Sequence, residues 1–346
     1  VDVSGKESTG LFADTGTINI TNGNIKTSDG AFNLYSKGST GKITLTNSTL
    51  ETGQKSLLFY NETGGTFNLT NVNATVRGGA NVTDRGTAFY YVGAGTLPAL
   101  TTTDLSNYFA TVFSGTAGNL TLNMDSGSRL FIVDNVSIDL SVTATPLGLI
   151  AGGPTVNGSN YKTYMMYKSL LGINQAVDLN SSTDAYNTLE IATSSISNNG
   201  QIINGTIAGQ AAIAQENGLT PGGVALPRST VTLTNNGGTI SLTGANSVAM
   251  YTSNGEIYNT AAGKINATGD NSLGIYATNG TKVDTAAGTE INIGKNGVGI
   301  YAEGWKQGTA QAFGNGQLDI ANSGLIKSGT GAGAIGVYLN NNSGVA

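Results

Sequence analysis

Apolar and polar residues alternate along most of the chain in short runs, and turn residues separate these runs. The segments Ile18–Ile20 (INI), Ile43–Leu45 (ITL) and Phe67–Leu69 (FNL) show the period of two that a half-buried β-strand requires. Glycine and asparagine stand between such runs, as at Asn254–Gly255 and Asn279–Gly280. Both residue types adopt positive φ at low cost, so they turn the chain. The pattern predicts many short strands joined by tight turns.

The predicted strands recur with a period of about 25 residues. Tyr251, Tyr276 and Tyr301 end the similar segments NSVAMY, NSLGIY and NGVGIY, and successive tyrosines are 25 residues apart. A looser version of this period runs from Phe12 to Tyr60. Further apolar runs follow each of these aromatic residues at similar offsets. Fixed internal offsets are typical of a repeat architecture, in which one unit stacks on the next.

This repeat predicts an all-β fold: a right-handed parallel β-helix with three short strands per coil of about 25 residues, interrupted by loop and short-helix excursions. A lone coil cannot bury its inward side chains, whereas stacked coils can, with parallel strands about 4.8 Å apart. We therefore expect each tyrosine of the repeat to stand over the next one in an internal column. The alternative is an antiparallel β-sandwich, which also has short strands and glycine turns but no fixed period.

Interruptions of the repeat divide the chain. We expect β-helix coils over residues 1–92, 118–145 and 188–346, an excursion over 93–117, an inserted helical or loop subdomain over 146–187, and smaller excursions at 215–229 and 303–316. Thr103 or Asp104 is placed to cap a helix over 104–112, and Asn160 a helix from Tyr161 to Leu171. At least three interruptions leave the coil after the tyrosine strand, so they should gather along one edge of the stack.

Composition narrows the classes of function. Charged residues make up 11% of the chain, against about 25% in ordinary domains, so serine, threonine, asparagine and glycine must keep the surface soluble. The net charge of −5 provides no basic footprint for nucleic acid. The sequence holds no cysteine and no histidine, which excludes disulfides, thiolate sites and Ser-His triads from these residues. No apolar run of about 18 residues exists, so direct membrane insertion by a helix is not expected.

The segment 271–280 (NSLGIYATNG), with its relatives at 246–255 and 296–304, resembles the passenger domains of large fusobacterial type V autotransporter adhesins. This family includes RadD-like, arginine-inhibitable adhesins and galactose-binding adhesins. The likeness is best over 246–338 and looser over 8–92. It implies a right-handed β-helix passenger, secreted through a carboxy-terminal barrel and displayed on the outer membrane. The targeting and barrel segments are expected to lie outside these residues.

Candidate contacts with a partner lie on the interruptions of the repeat. They are aromatic and lysine side chains: Trp305, Lys306, Tyr108, Phe109, Tyr161, Lys162, Tyr164 and Lys168. An exposed indole suits a sugar ring or a partner side chain. For each aromatic group a second interpretation stays open. The indole could pack over the coil edge, and the tyrosines and phenylalanine could form small cores of their own segments.

The sequence and the resemblance together predict a monomeric cell-surface adhesin fragment that attaches to a protein or glycan receptor on other bacteria or host cells. A structural stalk that spaces a binding tip from the membrane is the first alternative. A β-helical polysaccharide-degrading enzyme is the second, but the nearest acidic grouping, Asp125, Asp134 and Asp139, has spacings that do not superpose on a coil period. We therefore expect no catalytic residue, no cofactor and no metal.

Overall fold

The protein is described by a computed structural model covering residues 1–143, 150–217, 227–304, 318–329 and 332–340. It is nearly all β, with 54% strand and 8% helix. Among these residues, neighbouring strands within each sheet run parallel. The all-β prediction is confirmed, and the parallel sheets are compatible with a parallel β-helix. The antiparallel sandwich is not the fold.

The strands are short and follow one another closely along the chain. In chain order they are β1 (Asp2–Val3), β2 (Thr9–Asp14), β3 (Thr17–Thr21), β4 (Asn24–Thr27), β5 (Phe32–Lys37), β6 (Lys42–Thr52), β7 (Leu57–Glu62), β8 (Thr66–Val76), β9 (Thr87–Val92), β10 (Leu120–Met124), β11 (Arg129–Asp134), β12 (Ser137–Asp139), β13 (Thr155–Gly158), β14 (Lys162–Tyr167), β15 (Leu170–Ile173), β16 (Val177–Asp178), β17 (Leu189–Ala192), β18 (Ser195–Asn199), β19 (Ile202–Gly205), β20 (Ala211–Glu216), β21 (Thr232–Asn236), β22 (Thr239–Leu242), β23 (Val248–Ser253), β24 (Glu256–Thr260), β25 (Lys264–Ala267), β26 (Leu273–Thr278), β27 (Lys282–Thr285), β28 (Glu290–Ile293), β29 (Val298–Glu303), β30 (Asp319–Asn322), β31 (Leu325–Ser328) and β32 (Ile335–Asn340). The helices are α1 (Thr102–Val112) and α2 (Leu140–Thr143), with 3-10 turns at Val82–Asp84, Ala117–Asn119, Tyr186–Thr188 and Arg228–Thr230.

The chain divides into two compact units, the first comprising 1–136, 142–165 and 188–190 and the second comprising the rest. Two sheets are built mainly from the first unit, in the orders β1-β4-β6-β8-β10-β13, with β3 also on β6, and β2-β5-β7-β9-β11-β14-β17. Three sheets belong to the second unit, in the orders β12-β15-β18-β21-β24-β27-β30, β16-β19-β22-β25-β28-β31 and β20-β23-β26-β29-β32. Each sheet therefore collects one strand from each successive coil.

In the second unit each complete coil contributes one strand to each of three sheets, as predicted. The coil β23–β24–β25 is followed by β26–β27–β28, with Tyr251 opposite Tyr276, and Tyr276 in turn lies opposite Tyr301. The same corner of successive coils is turned by Asn246 and Asn271, both at φ 56°. Asparagine tolerates this left-handed conformation better than most side chains. The period read from the sequence is thus the structural period.

The first unit departs from the three-strand prediction in two of its coils, where two strands merge into one long strand. The strands β6 and β8 are 11 residues long and span both apolar runs, so that β3 and β4 pair with the same strand. Asn47 and Asn71 interrupt the ladder at a single position, each with φ 49°. One residue of positive φ turns the strand there, while pairing continues on both sides of it.

Like side chains stack in the interior of both units. In the second unit Met250, Ile275 and Ile300 lie opposite one another and are fully buried. Buried asparagines form a second column, in which the Nδ2 of Asn198 donates to the Oδ1 of Asn235 at 2.9 Å, and the Nδ2 of Asn235 donates to the next asparagine at 2.9 Å. A slip of one residue would expose the apolar column and break the amide ladder, so both columns fix the register.

The two predicted helices have opposite outcomes. A helix is present as α1, but its cap is Thr101: the Thr101 hydroxyl accepts from the Asp104 amide at 3.2 Å, and the Asp104 carboxylate accepts from the Thr101 amide at 2.8 Å. The helix predicted from Tyr161 to Leu171 is wrong, since these residues form β14 and β15. Tyr164 and Met166 face inward and continue the core of the coils, which stabilises strands over the helical pattern. The described part of the predicted insertion, 150–187, holds the four short strands β13 to β16 joined by loops, and its longest element is a strand and not a helix.

Candidate functional site

A column of tyrosines runs along the outer face of the sheet that contains β23, β26, β29 and β32. The ring centroids of Tyr251, Tyr276, Tyr301 and Tyr338 follow one another at 5.2, 5.3 and 4.9 Å. The predicted stacking is confirmed, but the predicted internal position is wrong. Because neighbouring residues of a strand point to opposite faces, the fully buried Ile275 places Tyr276 outside. We call this half-exposed column the tyrosine ribbon.

Carboxylates anchor hydroxyl groups of the ribbon. The Tyr301 hydroxyl donates to Glu303 at 2.8 Å, and the Tyr251 hydroxyl donates to Glu216 at 3.0 Å. The hydrogen bond to Glu303 raises the pKa of Tyr301 to about 12. Burial, followed by the hydrogen bond to Glu216, raises the pKa of Tyr251 to about 12. Tyr251 and Tyr301 therefore present neutral phenols, each oriented by its carboxylate, at neutral pH.

A cleft of about 450 Å³ adjoins the ribbon at Tyr251. Its other walls are the end of β17 with Thr193, and the segment Ala214–Asn217. The side-chain amide of Gln215 lies in this wall, where its Nε2 donates to the Ile191 carbonyl at 2.8 Å. The Oε1 of Gln215 is buried without a hydrogen-bond partner. The cleft is thus walled on one side by the Tyr251 ring and on the other by a glutamine whose amide is tied to the backbone.

A second cleft, of about 410 Å³, lies in the first unit. We call it the basic cleft, and its lining consists of polar side chains, glycines and one alanine: Gln54, Gly78, Gly79, Ala80, Arg85, Ser126, Gly127, Asn160 and Lys162. Arg85 follows a 3-10 turn and Lys162 begins β14, so two different coils place their cations here. No carboxylate belongs to this lining within the described ranges.

A buried ion network supports one wall of the basic cleft. Arg129, the first residue of β11, donates through Nε to the Glu190 carboxylate at 2.9 Å and through Nη2 to its other oxygen. Arg85 Nη1 donates to the same carboxylate at 2.8 Å. Arg129 and Glu190 are 8% and 9% exposed. The two guanidinium groups thus share one carboxylate away from solvent.

The charges around the basic cleft act on Lys162 as well as on Arg85. The Arg85 Nε is buried without a hydrogen-bond partner. Burial lowers the pKa of Lys162, the charge of Arg85 lowers it further, and Glu190 acts in the opposite direction. Three cations, Arg85, Arg129 and Lys162, therefore act on the single carboxylate of Glu190.

The structure separates the residues predicted as partner contacts. Tyr108, Phe109 and Tyr164 are buried against rings of the coil strands, with the Phe109 and Phe89 rings 5.3 Å apart, so they join the core of the coils and do not form separate cores of their own segments. Lys162 lines the basic cleft, and Tyr161 before it is half-buried. Lys168 is exposed, and its Nζ lies 5.0 Å from the centroid of the Tyr167 ring. Trp305 and Lys306 lie outside the described residues.

Sequence reasoning missed Arg85 and Glu190. One signal was available in the sequence. Side chains two residues apart in a strand point to the same face, so the alternation places Arg129 on the buried side together with Phe131. A charged residue at an inward position requires a partner of opposite charge. Glu190, directly after the buried Leu189, was the acid to consider. The spacing of 61 residues between Arg129 and Glu190 is no multiple of the coil period, which concealed the pair.

The acids considered for catalysis do not form a group. Asp125 pairs with Arg77 at 3.3 Å, and Asp134 accepts from the Tyr90 hydroxyl at 2.8 Å. Asp139 accepts from the Ser141 hydroxyl at 2.7 Å. Within the described ranges no set of three or more acidic side chains is placed to hold a metal ion. In the same part of the chain, no helix has the length and apolar character needed to cross a membrane.

Comparisons with known proteins add no assignment. Neither the protein-family models, nor the curated proteins, nor the solved structures contain a match to this chain.

Proposed function

We propose that this chain is a cell-surface adhesin segment that attaches to other bacteria or to host cells through the outer faces of stacked coils. The observation that carries the proposal is the tyrosine ribbon, in which successive coils place half-exposed rings in register on one face. Tyrosine is enriched where proteins bind partners, because it offers a large rigid ring and a polar group. Repetition of such a group along a face favours multivalent attachment.

The fold and the location belong to the same proposal. The coils are proposed to be right-handed, because crossovers between parallel strands of one sheet are right-handed in about 98% of cases. The likeness of 271–280 to autotransporter passengers supports display on the bacterial outer membrane. The proposed role is binding and not catalysis. Binding is favoured because Asp125, Asp134 and Asp139 each contact a different neighbouring side chain and do not form one acidic group.

The experiment is direct binding of the whole chain to cells. Beads carrying the chain are incubated with a panel of bacteria and with epithelial cells, and bound cells are counted by flow cytometry. We expect saturable binding to at least one cell type, competed by the soluble chain and absent from beads that carry an unrelated β-protein. Beads that retain no cell at any density would contradict the proposal.

A stalk is the second candidate function, and the regularity of the second unit favours it. The coils β23–β24–β25 and β26–β27–β28 repeat without insertion among their described residues. A stalk needs such regular stacking and no binding surface. Failure of the chain to retain any cell, together with intact folding, is the result expected for a stalk.

A further inference from the structure

We infer that the tyrosine ribbon is a site of oxidative modification, at which neighbouring rings are coupled into dityrosine. The two bonds join Tyr251 to Tyr276 and Tyr301 to Tyr338. The oxidant is hydrogen peroxide, acting through a haem peroxidase. The inference goes beyond the proposed attachment function and does not rest on it, because the reaction needs no partner cell.

The register of the sheet brings the reacting rings together. The strands β23, β26, β29 and β32 pair in parallel, so the tyrosines of successive coils stand side by side. Their ring centroids are between 4.9 and 5.3 Å apart. Groups held in contact react as if they were present at a very high concentration. A radical on one ring therefore meets its neighbour in the ribbon before it meets a second molecule.

The orientation of the rings selects two of the three neighbouring pairs. Phenoxyl radicals couple when their faces overlap, since the unpaired electron occupies the π orbitals of the ring. The rings of Tyr301 and Tyr338 lie 4.9 Å apart at an angle of 24°, and those of Tyr251 and Tyr276 lie 5.2 Å apart at 30°. The middle pair of the ribbon meets edge to face, at 76°. The four tyrosines therefore divide into two pairs, one at each end of the ribbon.

Carboxylates provide a place for the phenolic proton. A phenol that has lost an electron is a strong acid, so oxidation is easier where a base already accepts its hydrogen bond. The Tyr301 hydroxyl donates to Glu303 at 2.8 Å. In the other pair the Tyr251 hydroxyl donates to Glu216 at 3.0 Å. Each pair thus contains one tyrosine whose proton acceptor is in place, on a partly exposed face that an oxidant can reach.

The coupling is balanced by the reduction of peroxide. Each of the two phenols loses one electron and its hydroxyl proton, and the two radicals form one bond between ring carbons next to the oxygens. The hydrogens on those carbons then move to the oxygens, which restores both phenols. The two electrons and two protons released reduce one hydrogen peroxide to two waters. The product is a covalent bond between adjacent coils, in a chain that has no cysteine for a disulfide.

The experiment treats the full chain at low concentration with hydrogen peroxide and a haem peroxidase. The monomer is isolated by size exclusion, so that only bonds within one chain are measured. Trypsin cleaves after arginine and lysine and places each ribbon tyrosine in a peptide of its own. Mass spectrometry should find peptide 229–264 joined to 265–282, and peptide 296–306 joined to 328–346. Each product should be two hydrogens lighter than its two peptides together and should show dityrosine fluorescence.

Two tyrosine-to-phenylalanine variants test the assignment. Tyr276→Phe keeps the ring and its stacking but forms no phenoxyl radical, so the bond to Tyr251 should be lost while peptides 296–306 and 328–346 still join. Tyr258→Phe is the matched control. Tyr258 also donates to a glutamate, at 2.9 Å, and is partly exposed, but threonine and aspartate lie opposite it in the sheet. Both bonds should therefore remain in Tyr258→Phe.

A third variant, Glu303→Gln, tests the proton acceptor. It should slow the bond between Tyr301 and Tyr338 at least about tenfold, since a positioned base contributes about 10²–10⁴-fold and water partly replaces it at an exposed ring. The bond between Tyr251 and Tyr276 should keep its rate. An unchanged rate for both bonds would overturn the role of the carboxylate.

Three results would overturn the inference as a whole. They are the absence of dityrosine from the oxidised monomer, a dominant bond between Tyr276 and Tyr301, and bonds that involve Tyr258 as often as the ribbon tyrosines. The last of these would show that coupling follows exposure and not stacking. Failure here leaves the proposed attachment untouched, since cell binding is measured on chain that has met no oxidant.

Discussion

Replacing Glu190 with glutamine tests whether the ion network is truly buried. The change keeps the size of the side chain and one acceptor oxygen but removes the carboxylate that Arg85 and Arg129 share. Removing one partner of a buried ion pair costs about 3–5 kcal/mol of unfolding free energy. Arg129 also donates to the Arg85 carbonyl at 3.3 Å, and the new amide still accepts one bond. We therefore expect a loss near the lower end, about 3 kcal/mol.

The loss should be local, because each coil contacts mainly its neighbours in a repeat protein. Native-state hydrogen exchange, read by mass spectrometry, measures it peptide by peptide. A change of about 3 kcal/mol corresponds to a roughly 100-fold faster exchange of amides that open with the network. We expect this acceleration in peptides covering β11 and β14, while peptides covering β26 to β28 keep their protection.

Asp125→Asn is the matched control. It breaks the exposed pair between Arg77 and Asp125, whose side chains are 45% and 42% exposed. Exposed pairs contribute about 0–1 kcal/mol, so exchange should barely change. If Glu190→Gln and Asp125→Asn gave the same small effect, Glu190 would have to be solvated, and the account of the network would be refuted.

Three further predictions concern the columns of the coils. Tyr276→Ala removes two ring contacts and should cost about 1–3 kcal/mol in urea unfolding of the second unit, whereas Tyr276→Phe should stay close to wild type; equal losses would implicate the hydroxyl instead of the ring. Asn235→Ala removes the buried amide that accepts from Asn198 and donates to Asn259, and it should cost about 2–4 kcal/mol, against a smaller loss for Asn292→Ala in a half-exposed ladder; a reversed order would contradict the role of burial. The pKa of Tyr35 and of Tyr301 is raised to about 12 by hydrogen bonds to glutamates, so their stabilisation is complete below about pH 10 and is lost as the pH rises toward 12; phenolate absorbance appearing at the ordinary pH in both would refute those bonds.

The repeat could be predicted from the sequence because its signals are local. Strand alternation and turn residues recur every 25 residues, and the structure pairs the repeated tyrosines as expected. The period alone did not decide whether the repeated tyrosines point into the core or to the outer face of the sheet. Ile275 and Ala277 flank Tyr276 and are aliphatic, so their parity already favoured an inward position for them and an outward one for the ring.

The failed helix over 161–171 shows the limit of local patterns. Its aromatic and aliphatic residues fit one face of a helix as well as two faces of a strand. Stacking between coils favours the strand over the helix, since the Tyr164 ring packs against the Phe131 ring of the preceding coil, with the two centroids 6.1 Å apart. Such a contact joins residues that lie more than one coil period apart in the sequence, and a single sequence does not reveal it.

The basic cleft was largely beyond prediction, because excursions shift its residues out of the 25-residue period. Lys162 was identified as a candidate, but neither Arg85 nor Glu190 was. The neighbouring coil shows that coil stacking does not require charge at this place: Thr87 lies opposite Arg129 and is itself buried. Apolar residues of similar volume often stabilise a fold as well as a buried ion pair does. Coil stacking as such therefore does not require the buried pair of Arg129 and Glu190, and the period of the repeat could not predict it.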